Sequence, residues 1–114
     1  MVEQNRNAGL RADGSAKGLG FYGQIPRPDG ATSTELSIGV PIGGREMEIP
    51  SLVPGLTREQ IDSLMSNGPM TDAIIRQAII SAQPRVAAGR SPFAGPNEQQ
   101  PLPAWTDTEL RRIR

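Results

Sequence analysis

The chain has 114 residues, enough for one domain, and its 12 basic and 12 acidic side chains leave a formal net charge of zero. That balance gives no electrostatic case for nucleic acid or an anionic membrane. With no cysteine and no histidine, the chain has no disulfide framework, no thiol chemistry, no zinc site built on those ligands and no nucleophile activated by them. Gly and Pro make up about a fifth of the residues, near the range where low complexity sets in. The aromatics are four: Phe21, Tyr22, Phe93 and Trp105. So few large apolar groups bury little area, and a partner is expected to supply the missing surface. No apolar run approaches the roughly 18–20 residues of a membrane span, and the first residues lack the apolar core of a secretory signal, so neither is expected.

Residues 1–34 read as an extended, Gly-rich arm. Gly9, Gly14, Gly18, Gly20 and Gly23 recur too closely for a helix or strand. Arg27-Pro28-Asp29-Gly30 is a turn signal, because Pro presets φ at its second position and Gly follows. Phe21 and Tyr22 are the arm's only bulky groups and are candidates for insertion into a neighbouring subunit. Gly18-Leu19-Gly20-Phe21-Tyr22-Gly23 matches the letters of a dinucleotide fingerprint. The match is rejected because no strand precedes it and no helix follows to hold a pyrophosphate.

Residues 35–93 hold the periodic patterns and read as a hairpin-helix-helix module. Leu36, Ile38, Val40 and Ile42 alternate with Glu35, Ser37, Gly39 and Pro41; after Gly43-Gly44, Met47 and Ile49 alternate with Glu46 and Glu48. A two-residue Gly-Gly loop predicts a β-hairpin with a type I′ or II′ turn. Its register sets Ile42 opposite Arg45, Val40 opposite Met47, Ile38 opposite Ile49 and Leu36 opposite Ser51, so the apolar residues share one face. Pro41 then falls at a non-hydrogen-bonded pair, which leaves the first strand without a neighbour there. A lone hairpin is marginal in water, so that face needs a cover.

Pro50 and Pro54 bracket an extended Ser51-Leu52-Val53. Thr57 with Gln60 predicts a capping box, and Leu56 with Ile61 a hydrophobic staple, opening a helix that runs to about Ser66. Asn67-Gly68-Pro69 stops it. A second helix is predicted from about residues 69–71 to about Ala88, with Ile74, Ile75, Ala78, Ile79, Ala82 and Val86 as its apolar stripe. Arg76, Gln77, Arg85 and Arg90 lie off the stripe and read as a solvated face. Pro84 removes one helical hydrogen bond and clashes one turn back, at about 3 kcal/mol, so a kink or break is expected there.

Residues 94–114 read as a second arm, Pro-rich and partly polyproline, ending in a short helix. Thr106 and Glu109 make a capping box, Trp105 and Leu110 a staple, and Arg111, Arg112 and Arg114 suit a helix C-terminus. A helix of about eight residues is unstable alone, so its capping implies a surface to fold against. Phe21, Tyr22, Phe93, Trp105, Leu110, Arg111 and Arg112 are therefore the candidate partner-binding residues, with Trp105 the leading anchor, since Trp and Arg dominate binding hot spots.

Catalysis has little to stand on. Glu46 and Glu48 share a strand face, and Glu59 and Asp62 lie three apart on a helix, but such pairs are ordinary surface charges; Glu46 and Glu48 suit the discouragement of edge pairing. The expectation is a non-enzyme with no cofactor, no metal and no small-molecule substrate.

Three runs carry a resemblance: Pro28-Asp29-Gly30, Ser33-Thr34-Glu35-Leu36-Ser37-Ile38-Gly39 and Glu48-Ile49-Pro50-Ser51-Leu52-Val53-Pro54. With Ala87-Ala88-Gly89-Arg90-Ser91-Pro92-Phe93, they resemble a family of small uncharacterised, virion-associated structural proteins of tailed bacteriophages. The likeness spans about residues 20–93 and includes no catalytic motif. It implies a minor structural protein located in the virion, on the capsid, around the portal and tail or in the internal ejection apparatus. Its partners would be larger phage structural proteins, in multiple copies, with no direct nucleic-acid binding. The alternative is a small binding protein that regulates or assists a phage or host enzyme such as a cell-wall hydrolase. The expected architecture is α+β: a two-stranded hairpin and two helices (ββαα) between long extended arms, with a short C-terminal helix.

Overall fold

A computed structural model describes residues 4–5, 10–11 and 14–105 of the chain. Its elements are β1 (Gln4–Asn5), β2 (Ile25–Pro26), β3 (Thr32–Ser33), β4 (Ser37–Ile42), β5 (Arg45–Pro50), α1 (Arg58–Met65) and α2 (Asp72–Ala87). This is an α+β fold, and the central hairpin with its two helices is the expected ββαα unit. The register is also the expected one: Ile42 faces Arg45, Val40 faces Met47 and Ile38 faces Ile49, and the Ser51 N–H donates to the Leu36 carbonyl at 2.8 Å. Gly43 and Gly44 both have positive φ, 59° and 79°. That is the type I′ turn, whose twist matches the strands it joins.

The sheet is wider than expected. β1 pairs antiparallel with β4 through Gln4 with Ile38 and Asn5 with Ser37, giving the order β1-β4-β5. This described pairing ends short of Pro41, which keeps its missing N–H out of the ladder. A second, smaller hairpin lies where the sequence reads as extended arm. β2 and β3 pair through Ile25 with Ser33 and Pro26 with Thr32, around the Arg27–Gly30 turn. The turn is closed by the Gly30 N–H on the Arg27 carbonyl. Strands of two residues carry no readable alternation, which is why only their turn was legible.

Thr57 caps α1 as expected. Its hydroxyl accepts from the Gln60 N–H at 3.1 Å, and Gln60 Oε1 accepts from the Thr57 N–H at 2.9 Å. Thr71 caps α2 by accepting from the Ile74 N–H. α2 is not broken at Pro84; it continues to Ala87. Pro84 and Ile80 are both exposed, so the Ile80 carbonyl that loses its donor can bond to water, which limits the cost.

The core has two parts. Ile38, Val40, Ile42 and Ile49 pack against Ala78 and Ala82 of α2, whose small side chains let the helix lie close to the sheet. Leu36, Leu52, Val53, Leu56, Ile61, Leu64, Met65 and Ile74 gather around Phe21, Tyr22 and Ile25. Half-buried Met70 touches both. The stretch around Phe21 is thus core, not a free arm. Burying these rings within the chain removes more apolar surface from water than the aliphatic hairpin and helices could remove alone. Residues 94–105 likewise lie back over the module, with Ala94 and Leu102 packed on the same cluster. The expected short C-terminal helix falls outside the described residues.

Two substitutions test this packing. Gly20 has φ +69°, and a Cβ there would run into the Thr34 backbone carbonyl. Gly20→Ala is expected to lower unfolding free energy by at least about 2 kcal/mol in urea denaturation. Ser51 is fully buried and its hydroxyl has no hydrogen-bond partner among the described residues. Ser51→Ala is expected to raise stability by about 1 kcal/mol in the same measurement.

Candidate docking surfaces

Three of the seven candidate partner-binding residues are spent inside the chain. Phe21 is 4% exposed, Tyr22 9% and Phe93 8%. The Tyr22 hydroxyl donates to the Val53 carbonyl at 2.8 Å, and burial raises its pKa. The expectation that Phe21 and Tyr22 insert into a neighbour is therefore corrected: a chain with four aromatics puts them in its own core first. Trp105 stays half-buried, with the Arg58 guanidinium 5.5 Å from its ring centroid. Leu110, Arg111 and Arg112 lie outside the described residues.

Two arginine–carboxylate clamps position the ends of the chain. Arg11 Nε and Nη2 donate to Glu35 Oε1 and Oε2 at 3.0 and 2.9 Å, and the Gly18 N–H adds a third bond to Oε2 at 2.8 Å. Glu35 is 3% exposed. The glycine run that imitates a dinucleotide fingerprint thus binds the chain's own carboxylate, and strand β2 follows it where a helix would be needed. The second clamp joins α2 to the Pro-rich segment. Arg85 Nη1 and Nη2 donate to Glu98 Oε2 and Oε1 at 2.7 and 2.8 Å, while Nε and Nη2 also donate to the Ser91 and Phe93 carbonyls at 2.8 and 2.9 Å. The Gly95 N–H donates to Glu98 at 2.7 Å. Gln100 and Gln99 then reach the Phe21 and Gly20 carbonyls, at 2.8 and 2.7 Å, and Arg58 reaches the Pro103 carbonyl at 3.5 Å. The result is a strap, residues 94–105, that ends at Trp105.

The clamps interlock through the aromatic rings. The Arg11 guanidinium lies 4.6 Å from the Phe93 centroid and that of Arg85 lies 5.4 Å from Phe21. Each arginine thus holds a carboxylate in one segment and a ring in another, at roughly 1 kcal/mol or more per stacked pair where partly desolvated. Sequence reasoning left Arg11 and Glu98 aside, read Glu35 only as part of the strand alternation and placed Arg85 on a solvated face; the structure corrects the last, since Arg85 is paired with Glu98, and partners 24 and 13 residues apart leave no periodic trace. One signal was readable: Glu98 is the single charged residue between 91 and 105.

Two open grooves border the strap and the hairpin. One, of about 430 Å³, is lined by Tyr22, Gly55, Leu56, Gln100, Pro101 and Pro103. The other is a cleft of about 690 Å³ between residues 45–48 of β5 and a wall of Arg11, Ser91, Pro92 and Phe93. Among the described residues, no group of three acidic side chains could hold a metal ion, and no helix is long and apolar enough to cross a membrane. No protein-family model matches the chain, and no curated protein or solved structure is significantly similar to it.

The strap clamp has a pH signature. Bonds from Arg85 and Gly95 hold the Glu98 carboxyl at about 2, below its ordinary 4.5. A depressed carboxyl stabilises the folded arrangement fully above its unfolded value and less as pH falls through the folded one. Hydrogen exchange at the Gln100 amide is therefore expected to quicken, relative to core amides, from about pH 4.5 down to about 2. Glu98→Gln should quicken it at neutral pH and flatten that dependence.

Proposed function

We propose that the chain is a minor structural, non-enzymatic protein of a tailed-bacteriophage virion. It docks in multiple copies on larger subunits of the capsid, the portal–tail region or the ejection apparatus. The observation that supports docking is the strap: a Pro-rich segment held by Arg85 and Glu98 that delivers a half-buried Trp105 to the surface beside Arg58. A fixed aromatic with a neighbouring arginine suits an interface anchor, because little conformational entropy remains to be lost on binding. The phage setting is supported by the sequence resemblance of residues 20–93. The module and strap act together in this reading, as one docking body.

Mass spectrometry of purified particles with copy number is the test. The chain is expected at fixed stoichiometry; its absence overturns the virion reading and favours a regulator of a phage or host enzyme. Trp105→Ala is expected to fold normally and to lower incorporation about tenfold; unchanged incorporation removes Trp105 as the anchor.

A further inference from the structure

The turn that ends α1 holds a chemically labile pair under a lock. Asn67 is the one non-glycine residue with positive φ, 59°, among the described residues. The Gly68 N–H donates to the Ser63 carbonyl at 2.7 Å. This is the Schellman arrangement, a left-handed residue after the helix and a bond back across its last turn. Space fixes the second residue, because a Cβ at Gly68 would run into Ser63. Of the asparagines Asn5, Asn7, Asn67 and Asn97, only Asn67 precedes a glycine. An Asn-Gly pair deamidates without an enzyme, since no side chain hinders the attacking nitrogen. Gly68 N gives its proton to solvent and bonds to Asn67 Cγ. The Cγ–Nδ2 bond breaks, and the nitrogen leaves as ammonia after taking a proton from water. Water then opens the succinimide to aspartate or isoaspartate.

Two features of the fold act on this reaction. The nitrogen that must attack is engaged in a short bond to Ser63, so its hydrogen is not free for removal. Asn67 itself is exposed, and its Oδ1 accepts from Arg27 Nη2 at 3.4 Å. Arg27 is poorly satisfied. Its side chain is 12% exposed, and its Nε is buried with no hydrogen-bond partner among the described residues. Its contacts to Ser33 Oγ at 3.3 Å and Asp29 Oδ2 at 3.4 Å are long. A carboxylate at a helix C-terminus meets the partial negative charge of the last carbonyls, which disfavours it. Arg27 offsets that repulsion, because a charged acceptor binds a guanidinium more strongly than an amide does.

We propose that Asn67 is a self-modification site, held as asparagine while the Schellman turn is closed and converted when the end of α1 opens, with Arg27 receiving the new charge. A helix end opens far more readily than the core unfolds. Conversion therefore records the time this end spends open and gives a neutral chain a net negative charge.

The full-length protein would be incubated in mildly alkaline buffer, with and without guanidinium chloride, and digested with trypsin. Mass spectrometry would follow the peptide 59–76, whose one asparagine is Asn67. Conversion is expected to be about tenfold slower, or more, in the folded chain than in the unfolded one. At sub-denaturing guanidinium it should rise by the same factor as hydrogen exchange at the Gly68 amide, read by nuclear magnetic resonance. Equal rates folded and unfolded, no conversion in the unfolded chain, or conversion that does not follow Gly68 exchange overturns the lock. Asn67→Asp reproduces the acid product. Its new carboxyl is expected to titrate below the ordinary aspartate range, and Arg27→Gln added to it should return it to that range or above. Titration of the single variant at or above the ordinary range overturns the role of Arg27; if the double variant does not fold, the single one decides.

Discussion

Everything in this fold depends on covering one apolar sheet face with very few large side chains. The type I′ turn at Gly43-Gly44 sets the register that collects Ile38, Val40, Ile42 and Ile49 on that face. α2 covers part of it by close approach at Ala78 and Ala82. The remaining apolar surface, Leu36, Leu52 and Val53, lies beyond the reach of α2's small residues and is met by Phe21, Tyr22 and Ile25 from the N-terminal stretch. A chain this poor in aromatics cannot leave its rings in mobile arms and still bury enough area to fold. The same scarcity that suggests dependence on a partner draws the described parts of the ends back onto the module.

Apolar burial alone does not say where a Gly- and Pro-rich segment must lie. The two clamps do. Glu35, nearly inaccessible, accepts two bonds from Arg11 and one from the Gly18 backbone, which satisfies a charge that would be costly if left unpaired. Arg85 holds Glu98 and two carbonyls while stacking over Phe21. Such pairs contribute modestly to net stability against an apolar alternative, but their geometry admits one arrangement of donors and acceptors. Here they set path and register for segments with no secondary structure of their own. The planar, five-donor guanidinium suits this: it bonds in its plane and stacks on a ring with its face.

The legible parts of the structure were those governed by local rules. Alternation and a Gly-Gly loop specify the hairpin to the residue, and Thr57 with Gln60 specifies the start of α1, because turn and cap geometry involve residues two to four apart. β1, the β2–β3 hairpin and the strap were not legible. β1 and the strap depend on contacts 13 or more residues distant, and the two-residue strands of β1 and of the local β2–β3 hairpin are too short to show a period. At Pro84 the break, one of the two expected outcomes, does not occur: the helix rule concerns the lost bond, and the exposure of Ile80 and Pro84 decides how much that loss costs. The role of Arg85 was hidden because an arginine off the apolar stripe looks the same whether it meets water or Glu98.

The two edges of the main sheet are protected by different means, and the difference has a consequence. On the β4 side, β1 covers Ser37 and Ile38, and Pro41 removes a donor farther along. Cover and missing donors reject every incoming strand alike. On the β5 side Pro50 acts that way, and Glu46 and Glu48 add charge along the strand. Charge does not block pairing as such. It raises the cost for strands that set a like charge opposite it, so this protection depends on what the incoming strand carries.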